Sequence, residues 1–184
     1  MTALDFFARW RVRIGYLLAV VVLWLAQPTP QSILLGAIVG AIGLAIRAYA
    51  AGYLRKQTVL TVTGPYAYTR NPLYFGSAIL TLGTALAMHS WWSTAILLVY
   101  FALVYTMVMR REELELRQQH GAAFDSYAQA VPLFFPRLSA GAHSGPGDSA
   151  FSWGQYKQNH EYQAAFGFLL LLIALVIIWR LHTA

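Results

Sequence analysis

The sequence predicts an all-α, polytopic integral membrane protein with about five transmembrane helices. The prediction depends on three observations: 58% of the 184 residues are hydrophobic, only 11% are charged, and the mean hydropathy is +0.51. Soluble domains usually carry about 25% charged residues, so this composition is too apolar for a surface in water. The length suits one domain, which we take as residues 1–184.

Five apolar segments approach the roughly 20 residues that a membrane-spanning helix needs. We predict these helices at residues 14–26, 32–53, 73–88, 91–109 and 164–180. Pro28 and Pro30 end the first segment, and only His89 and Ser90 separate the third from the fourth. We therefore expect the third and fourth segments to form a tight antiparallel hairpin.

The second predicted helix is rich in small residues and contains the GxxxG pair Gly36 and Gly40. Such a face lets two helices approach closely in lipid. It serves either packing within the chain or a homodimer. Arg47, late in the same helix, either extends to the inner membrane surface or lines a cavity.

Basic residues concentrate in three stretches: the N-terminus, the 52–72 connection and the 110–137 stretch. Because lysine and arginine mark the cytoplasmic side, five spans place all three on one side when the N-terminus is cytoplasmic. The C-terminus then lies outside. We expect a bacterial inner-membrane protein, and the net charge of +6 indicates topology and contact with anionic lipids, not nucleic acid.

Composition also distinguishes a linker, an aromatic stretch and a motif core in the polar part of the chain. Residues 139–149 read as a flexible linker, because they are rich in serine and glycine. The stretch that follows carries Trp153, Tyr156 and Tyr162, which are typical of the headgroup level of a membrane. The polar motifs described next lie within a core of residues 58–137.

The first polar cluster is the loop from Gly64 to Tyr74, which contains two prolines, three tyrosines, an arginine and an asparagine. Pro72 suits the first turn of the helix that follows, where its missing N–H costs nothing. Tyrosine faces can accept a purine ring or a cationic sulfur centre. On its own, the pattern is more typical of an interfacial turn anchored by tyrosines.

The second cluster runs from Arg110 to Leu116 at the cytoplasmic end of the fourth predicted helix. Carboxylates directly at a membrane boundary are less common than arginines, which extend their charge to the surface. On its own, this cluster is typical of a solvated continuation of the helix. The chain has no cysteine, and its histidines lack metal-ligand spacing, so we predict no metal site.

Together, the two clusters resemble the signature of the isoprenylcysteine carboxyl methyltransferase family and the related phospholipid methyltransferases. That signature has a glycine-tyrosine-arginine-proline loop, a helical hairpin, and then a glutamate pair followed by glycine, aromatic residues and Val-Pro. The first half is formed here by Gly64, Tyr66, Arg70, Asn71, Pro72 and Tyr74. The second half is formed by Glu112, Glu113, Leu116, Gly121, Phe124, Tyr127, Val131 and Pro132.

The resemblance implies an enzyme that uses S-adenosyl-L-methionine in a pocket at the cytoplasmic membrane surface. It assigns the adenine end to the backbone around Val59, Leu60 and Thr61. It also implies that four residues of the loop line the cofactor: Tyr66, Asn71, Pro72 and Tyr74. A carboxylate of the Glu112–Glu113 pair would hold the cofactor's ammonium group.

The acceptor is less closely indicated, because the prenylcysteine enzymes carry an arginine where this chain has Val108. Asn71 also replaces a histidine that many members have. We expect carboxyl O-methylation of an isoprenylcysteine-like or other lipid-anchored carboxylate that enters from the bilayer. The candidates for contact with the acceptor and for catalysis are Arg70, Arg110, Arg111 and Glu112.

Three alternatives remain open at this point. One is a phospholipid or amine N-methyltransferase, another is a non-catalytic lipid-binding membrane scaffold, and the third is a membrane reductase with a related helical core. The reductase would need a nicotinamide phosphate site, for which the sequence offers no dedicated arginine cluster.

Overall fold

A computed structural model describes residues 15–55, 59–141 and 150–183, and these residues form α-helices and connecting segments without a β-strand. The predicted all-α membrane fold is confirmed. The helices are α1 (Gly15–Trp24), α2 (Pro30–Tyr53), α3 (Pro72–Met88), α4 (Trp91–His120), α5 (Ala122–Ala130), α6 (Trp153–Gln158) and α7 (Tyr162–Thr183). A 3-10 helix at Gly64–Ala67 precedes α3.

Three of these helices, α2, α4 and α7, are long and apolar enough to cross a membrane. The other two predicted spans, α1 and α3, are apolar but shorter. The N-terminal basic cluster lies outside the described residues, as do residues 142–149 of the predicted 139–149 linker. The predicted first helix begins at residue 14, so the prediction can be compared with the structure only from Gly15 onward.

Helix α2 begins two residues earlier than predicted because Thr29 caps it. Thr29 and Ser32 form a capping box, and Pro30 occupies the first turn, where no N–H is needed. Pro30 therefore starts the second helix instead of only ending the first. Pro72 plays the same part in α3, as its sequence position predicts.

The hairpin between α3 and α4 is as tight as predicted. His89 adopts a left-handed conformation with φ of 49°, and the Ser90 side chain caps α4 by accepting from the N–H of Ser93. A small apolar cluster that includes Val22, Met88 and Leu175 packs α1, α3 and α7 together near this turn.

Helix α4 continues well beyond the predicted span, from residue 109 to His120, as one unbroken helix. Gly121, with φ of 52°, then turns the chain into α5. A second cluster of buried residues joins the 59–63 segment to α5: Val62, Phe124, Tyr127 and Val131. Helix α5 therefore lies against the same part of the molecule as the 3-10 helix.

The segment that begins at residue 150 covers the C-terminal end of α2. The Ser152 N–H donates to the carbonyl of Gly52 at 3.0 Å, and the Asn159 side chain donates to the carbonyls of Ala51 and Leu54 at 2.9 and 3.0 Å. These are carbonyls that a helix end leaves without partners in its own helix. Helix α6 is thus held at the end of α2 where the polar motifs lie.

Candidate active site

Hydrogen bonds fasten the loop from Thr69 to Asn71 to the segment that follows α5. The Arg70 N–H donates to the carbonyl of Pro132 at 2.9 Å, and the Asn71 amide donates to the carbonyl of Leu133 at 3.0 Å. Thr69 donates to the carbonyl of Phe134 at 2.9 Å. The segment at the Val-Pro end of the sequence motif therefore holds the Arg70–Asn71 part of the loop in place.

Two further contacts join this loop region to α4. The Tyr74 hydroxyl donates to a carboxylate oxygen of Glu112 at 2.6 Å. The guanidinium of Arg70 pairs with Glu113, with Nη1 and Oε1 at 2.5 Å. The structure thus brings together the two halves of the motif, and it gives the adjacent glutamates different partners. Glu112 lies at an exposed position, while Glu113 and Arg70 are partly buried.

Tyr66 lies at the centre of this region, in the 3-10 helix. It is 7% exposed, and its buried hydroxyl has no hydrogen-bond partner among the described residues. Burial raises the pKa of this hydroxyl well above its usual range, and the nearby Tyr127, Glu112, Tyr74 and Glu161 raise the pKa further. The hydroxyl therefore stays protonated, so it is available as a hydrogen-bond donor and not as a base.

Tyr127 supports Tyr66 from α5. Its hydroxyl donates to the carbonyl of Tyr66 at 2.7 Å. Burial raises the pKa of Tyr127 as well, and the positive charge of Arg70 opposes this increase. Both tyrosines are consequently neutral hydrogen-bond donors at neutral pH.

The backbone predicted to meet an adenine lies on the α2 side of the 3-10 helix. Thr61 is buried, and its hydroxyl accepts from the N–H of Arg55 at 3.4 Å. Leu60 packs against the cluster of Val62 and Phe124, while Val59 is half-buried. Pro72, which was predicted to line a cofactor, is buried at the start of α3.

A groove of about 780 Å³ lies between α4 and α5. Arg70, Arg110 and Arg117 line it together with Glu113 and further residues of the two helices. Arg117 is already paired with Asp125, with Nε and Oδ1 at 2.7 Å.

Of the three arginines predicted to contact an acceptor, the structure brings Arg70 and Arg110 together in this groove. Arg111 pairs with Glu115 one turn along α4, at 2.9 Å between Nε and Oε1, and its side chain is 62% exposed. Arg111 does not line the groove.

Sequence reasoning missed a buried ion pair. Arg47 of α2 pairs with Glu161, which directly precedes α7, at 2.5 Å between Nε and Oε1. Arg47 also donates to the hydroxyl of Ser77 in α3. Arg47 therefore contacts an acidic partner inside the protein, and it does not simply extend to the membrane surface. The sequence did contain a signal for this pair: an arginine late in one apolar helix and a glutamate directly before another.

Comparison with known proteins identifies the family. The profile of the phospholipid methyltransferase family matches residues 10–123, which is more than half of the chain. The chain belongs to this family. The match to the phospholipid methyltransferases includes the 64–74 loop, the hairpin and the Glu112–Glu113 pair. The resemblance predicted from the two paired motifs is therefore confirmed.

Two curated relatives carry names that refer to metal resistance. The nickel-cobalt-cadmium resistance protein NccN of Alcaligenes xylosoxydans xylosoxydans is 34% identical over 140 residues, covering 71% of this chain and 64% of that protein. The cobalt-zinc-cadmium resistance protein CzcN of Cupriavidus metallidurans is 33% identical over 137 residues, covering 71% and 63%. The chain thus spans less than two thirds of the length of either protein.

A third relative is named as an enzyme. The protein-S-isoprenylcysteine O-methyltransferase of Schizosaccharomyces pombe is 29% identical over 83 residues, covering 45% of this chain and 35% of that protein. No significant match was found among solved structures. Among the described residues, no group of three histidine, aspartate or glutamate side chains is arranged to hold a metal ion.

Proposed function

We propose that this protein transfers a methyl group from S-adenosyl-L-methionine to a lipophilic acceptor at the membrane surface. Membership of the phospholipid methyltransferase family and the similarity to an isoprenylcysteine O-methyltransferase support the reaction type. The observation that carries the proposal is the joining of the motif halves through Tyr74–Glu112 and Arg70–Glu113. The partners in these two pairs are 38 and 43 positions apart in sequence, and without this fold they would have no reason to meet.

The residues present fit the cofactor. Glu112 is an exposed carboxylate whose chemistry suits an ammonium group, and the Tyr74 hydroxyl holds one of its oxygens. The buried hydroxyl of Tyr66 offers a donor that has no hydrogen-bond partner in the part of the chain that the structure describes. Glu113 is less suited to this part because Arg70 already neutralises it. We therefore assign the ammonium group to Glu112 within the predicted glutamate pair.

When bound, the cofactor supplies a methyl group whose bond to the positive sulfur breaks, leaving its electron pair on sulfur while an acceptor lone pair forms the new bond. The part of the protein is to position the acceptor near 3 Å from that carbon and to exclude water. Asn71 and Thr69 contribute by holding the loop against the segment after α5.

The acceptor proposed is an ionised carboxylate on a lipophilic molecule. Such an acceptor needs no base, and the raised pKa of Tyr66 and Tyr127 leaves neither tyrosine suited to remove a proton. Arg70 and Arg110 face the groove between α4 and α5, where they can attract an anionic group. The alternative acceptor, a phospholipid amine, would have to bind in its neutral form.

The proposal is tested by calorimetry of the detergent-solubilised protein with S-adenosylmethionine and S-adenosylhomocysteine. We expect Glu112→Gln to weaken binding roughly tenfold, because a charge-assisted hydrogen bond is lost. Glu115→Gln removes the same charge one turn away on α4 and is the matched control, with unchanged binding. Absence of binding to the wild-type protein at millimolar ligand would contradict the proposal.

A second measurement separates the acceptors. Membranes are incubated with cofactor that carries a labelled methyl group, and the product is treated with base. Release of the label as methanol indicates a carboxyl methyl ester. Label that is not released as methanol and is recovered on the headgroup amine indicates N-methylation and would overturn the carboxylate assignment.

A second candidate function is a non-catalytic membrane component of metal resistance, which the names of two relatives favour. If that function is correct, a Glu112→Gln variant that has lost methyl transfer will still confer tolerance to cobalt or cadmium in cells. If the protein acts by methylation, the same variant will lose both tolerance and transfer.

A further inference from the structure

The Arg47–Glu161 pair is unusual because both side chains are removed from water. Arg47 is 18% exposed and Glu161 is 8% exposed. Burying two charges is expensive, and their mutual attraction repays this cost only with good geometry and additional hydrogen bonds. Here the additional contact is from Arg47 to Ser77 of α3. A buried ion pair is therefore weak evidence for a purely stabilising role.

The pair lies beside the candidate active site along one face of α3. Ser77 follows Tyr74 by three positions, and side chains at this spacing are neighbours on a helix. Tyr74 contacts Glu112, and Ser77 contacts Arg47, which in turn contacts Glu161. These contacts thus place a polar cluster along one face of α3, with the exposed Glu112 at one end and the buried Glu161 at the other.

The buried hydroxyl of Tyr66 points to a ligand in this cluster. It has no hydrogen-bond partner among the described residues, although Tyr66 is only 7% exposed. Burial is the main cause of the raised pKa of Tyr66, and the negative charges of Glu112 and Glu161 add to it. An unpaired buried donor costs free energy unless something binds to it.

The charges of the cluster specify the kind of ligand. It contains two carboxylates, Glu112 and Glu161, and one guanidinium, Arg47, which leaves a net charge of −1. S-adenosylmethionine carries a net positive charge because of its sulfonium. S-adenosylhomocysteine, which lacks that charge, is neutral overall. A negative, partly buried site attracts the first more strongly than the second.

Resting on the function proposed above, we propose that Arg47 and Glu161 form the inner wall of the cofactor site, and that the net negative charge of the cluster selects the sulfonium form over the product. Arg47 faces the carboxylate of the cofactor's amino-acid end, while Glu161 contributes the second negative charge. Glu161 lies outside residues 10–123, in the segment fastened to the end of α2. This segment therefore contributes to the site as well as covering α2.

The experiment compares the affinities of S-adenosylmethionine and S-adenosylhomocysteine by calorimetry on the full chain. We expect the wild-type protein to favour S-adenosylmethionine, and Glu161→Gln to reduce that affinity roughly tenfold while changing S-adenosylhomocysteine binding much less. The double variant Arg47→Gln/Glu161→Gln has the same net charge as the wild type. We expect it to recover most of the preference.

Asn159→Ala is the matched control. It weakens the attachment of the same segment without changing a charge, so the ratio of the two affinities stays at the wild-type value. An equal loss of affinity for both ligands in Glu161→Gln would overturn the inference, since the pair would then be structural. If that variant does not fold, equal binding of both ligands by the wild-type protein overturns it. Absence of binding of either ligand to the wild type contradicts the proposed function itself.

Discussion

At the scale of single residues, the site depends on tyrosines and carboxylates that the motif places far apart in sequence. Their proximity could be predicted, because the resemblance orders the loop and the glutamate pair around a hairpin. The partner of each glutamate could not be predicted. Glu112 contacts Tyr74, whereas Glu113 contacts Arg70. Adjacent residues on a helix point about 100° apart, so only the position of the loop decides which partner each one meets.

Tyr127→Phe tests the support of the loop. The substitution removes the donor to the buried carbonyl of Tyr66, and an unpaired buried acceptor costs about 1–3 kcal/mol. We expect the free energy of unfolding in detergent to fall by that amount, and cofactor affinity to fall with it. Tyr16→Phe is the control, since Tyr16 is 72% exposed and its change should leave stability unaltered. Equal stability of the two variants would contradict this account of the loop.

At the scale of helices, the small residues of α2 decide how closely α2 and α3 pack. A methyl group added at Gly36 would collide with Ala87, and one at Gly43 would lie 2.6 Å from the backbone of Leu80. Gly40 meets the ring of Phe168 from α7. This face is therefore used within the chain, and the homodimer stays a prediction that needs a different surface.

Gly83→Ala tests this packing. Its new methyl group would lie 2.7 Å from the carbonyl of Gly36 and closer still to the backbone of Gly40, where neither helix can yield easily. Overpacking of this kind typically costs about 1–3 kcal/mol, so we expect a lower unfolding temperature in detergent. Gly167→Ala on α7 is the matched control, because nothing lies within 4 Å of its added methyl group. A loss of stability in the control equal to that in Gly83→Ala would contradict the explanation.

At the scale of the whole molecule, the polar clusters gather at one end of the helical bundle. The C-terminal end of α2, the N-terminal end of α3 and the continuation of α4 all carry them. Five crossings with a cytoplasmic N-terminus would place this end inside the cell. That orientation remains a prediction, and so does the bacterial inner membrane as the location.

The orientation can be tested with single cysteines, because the natural chain has none. Gln31→Cys and Gln118→Cys are a matched pair, since both glutamines are exposed and lie at opposite ends of the bundle. We expect a membrane-impermeant maleimide to label Gln31→Cys in intact cells and Gln118→Cys only in inverted vesicles. Thr183→Cys should behave like Gln31→Cys if the chain crosses five times. Labelling of Thr183→Cys from the same side as Gln118→Cys would contradict an odd number of crossings.

The sequence by itself determined the membrane class, the helical segments, the tight hairpin and the family, because apolar length, proline position and motif order are all local properties of the chain. It also assigned Pro72 to the first turn of α3 correctly. Only the tertiary structure joined Arg47 to Glu161, which are 114 positions apart, and separated Arg111 from the groove that Arg70 and Arg110 share. The reason is physical: the partner of a buried charge depends on which helix ends meet in space, and no local pattern encodes that meeting.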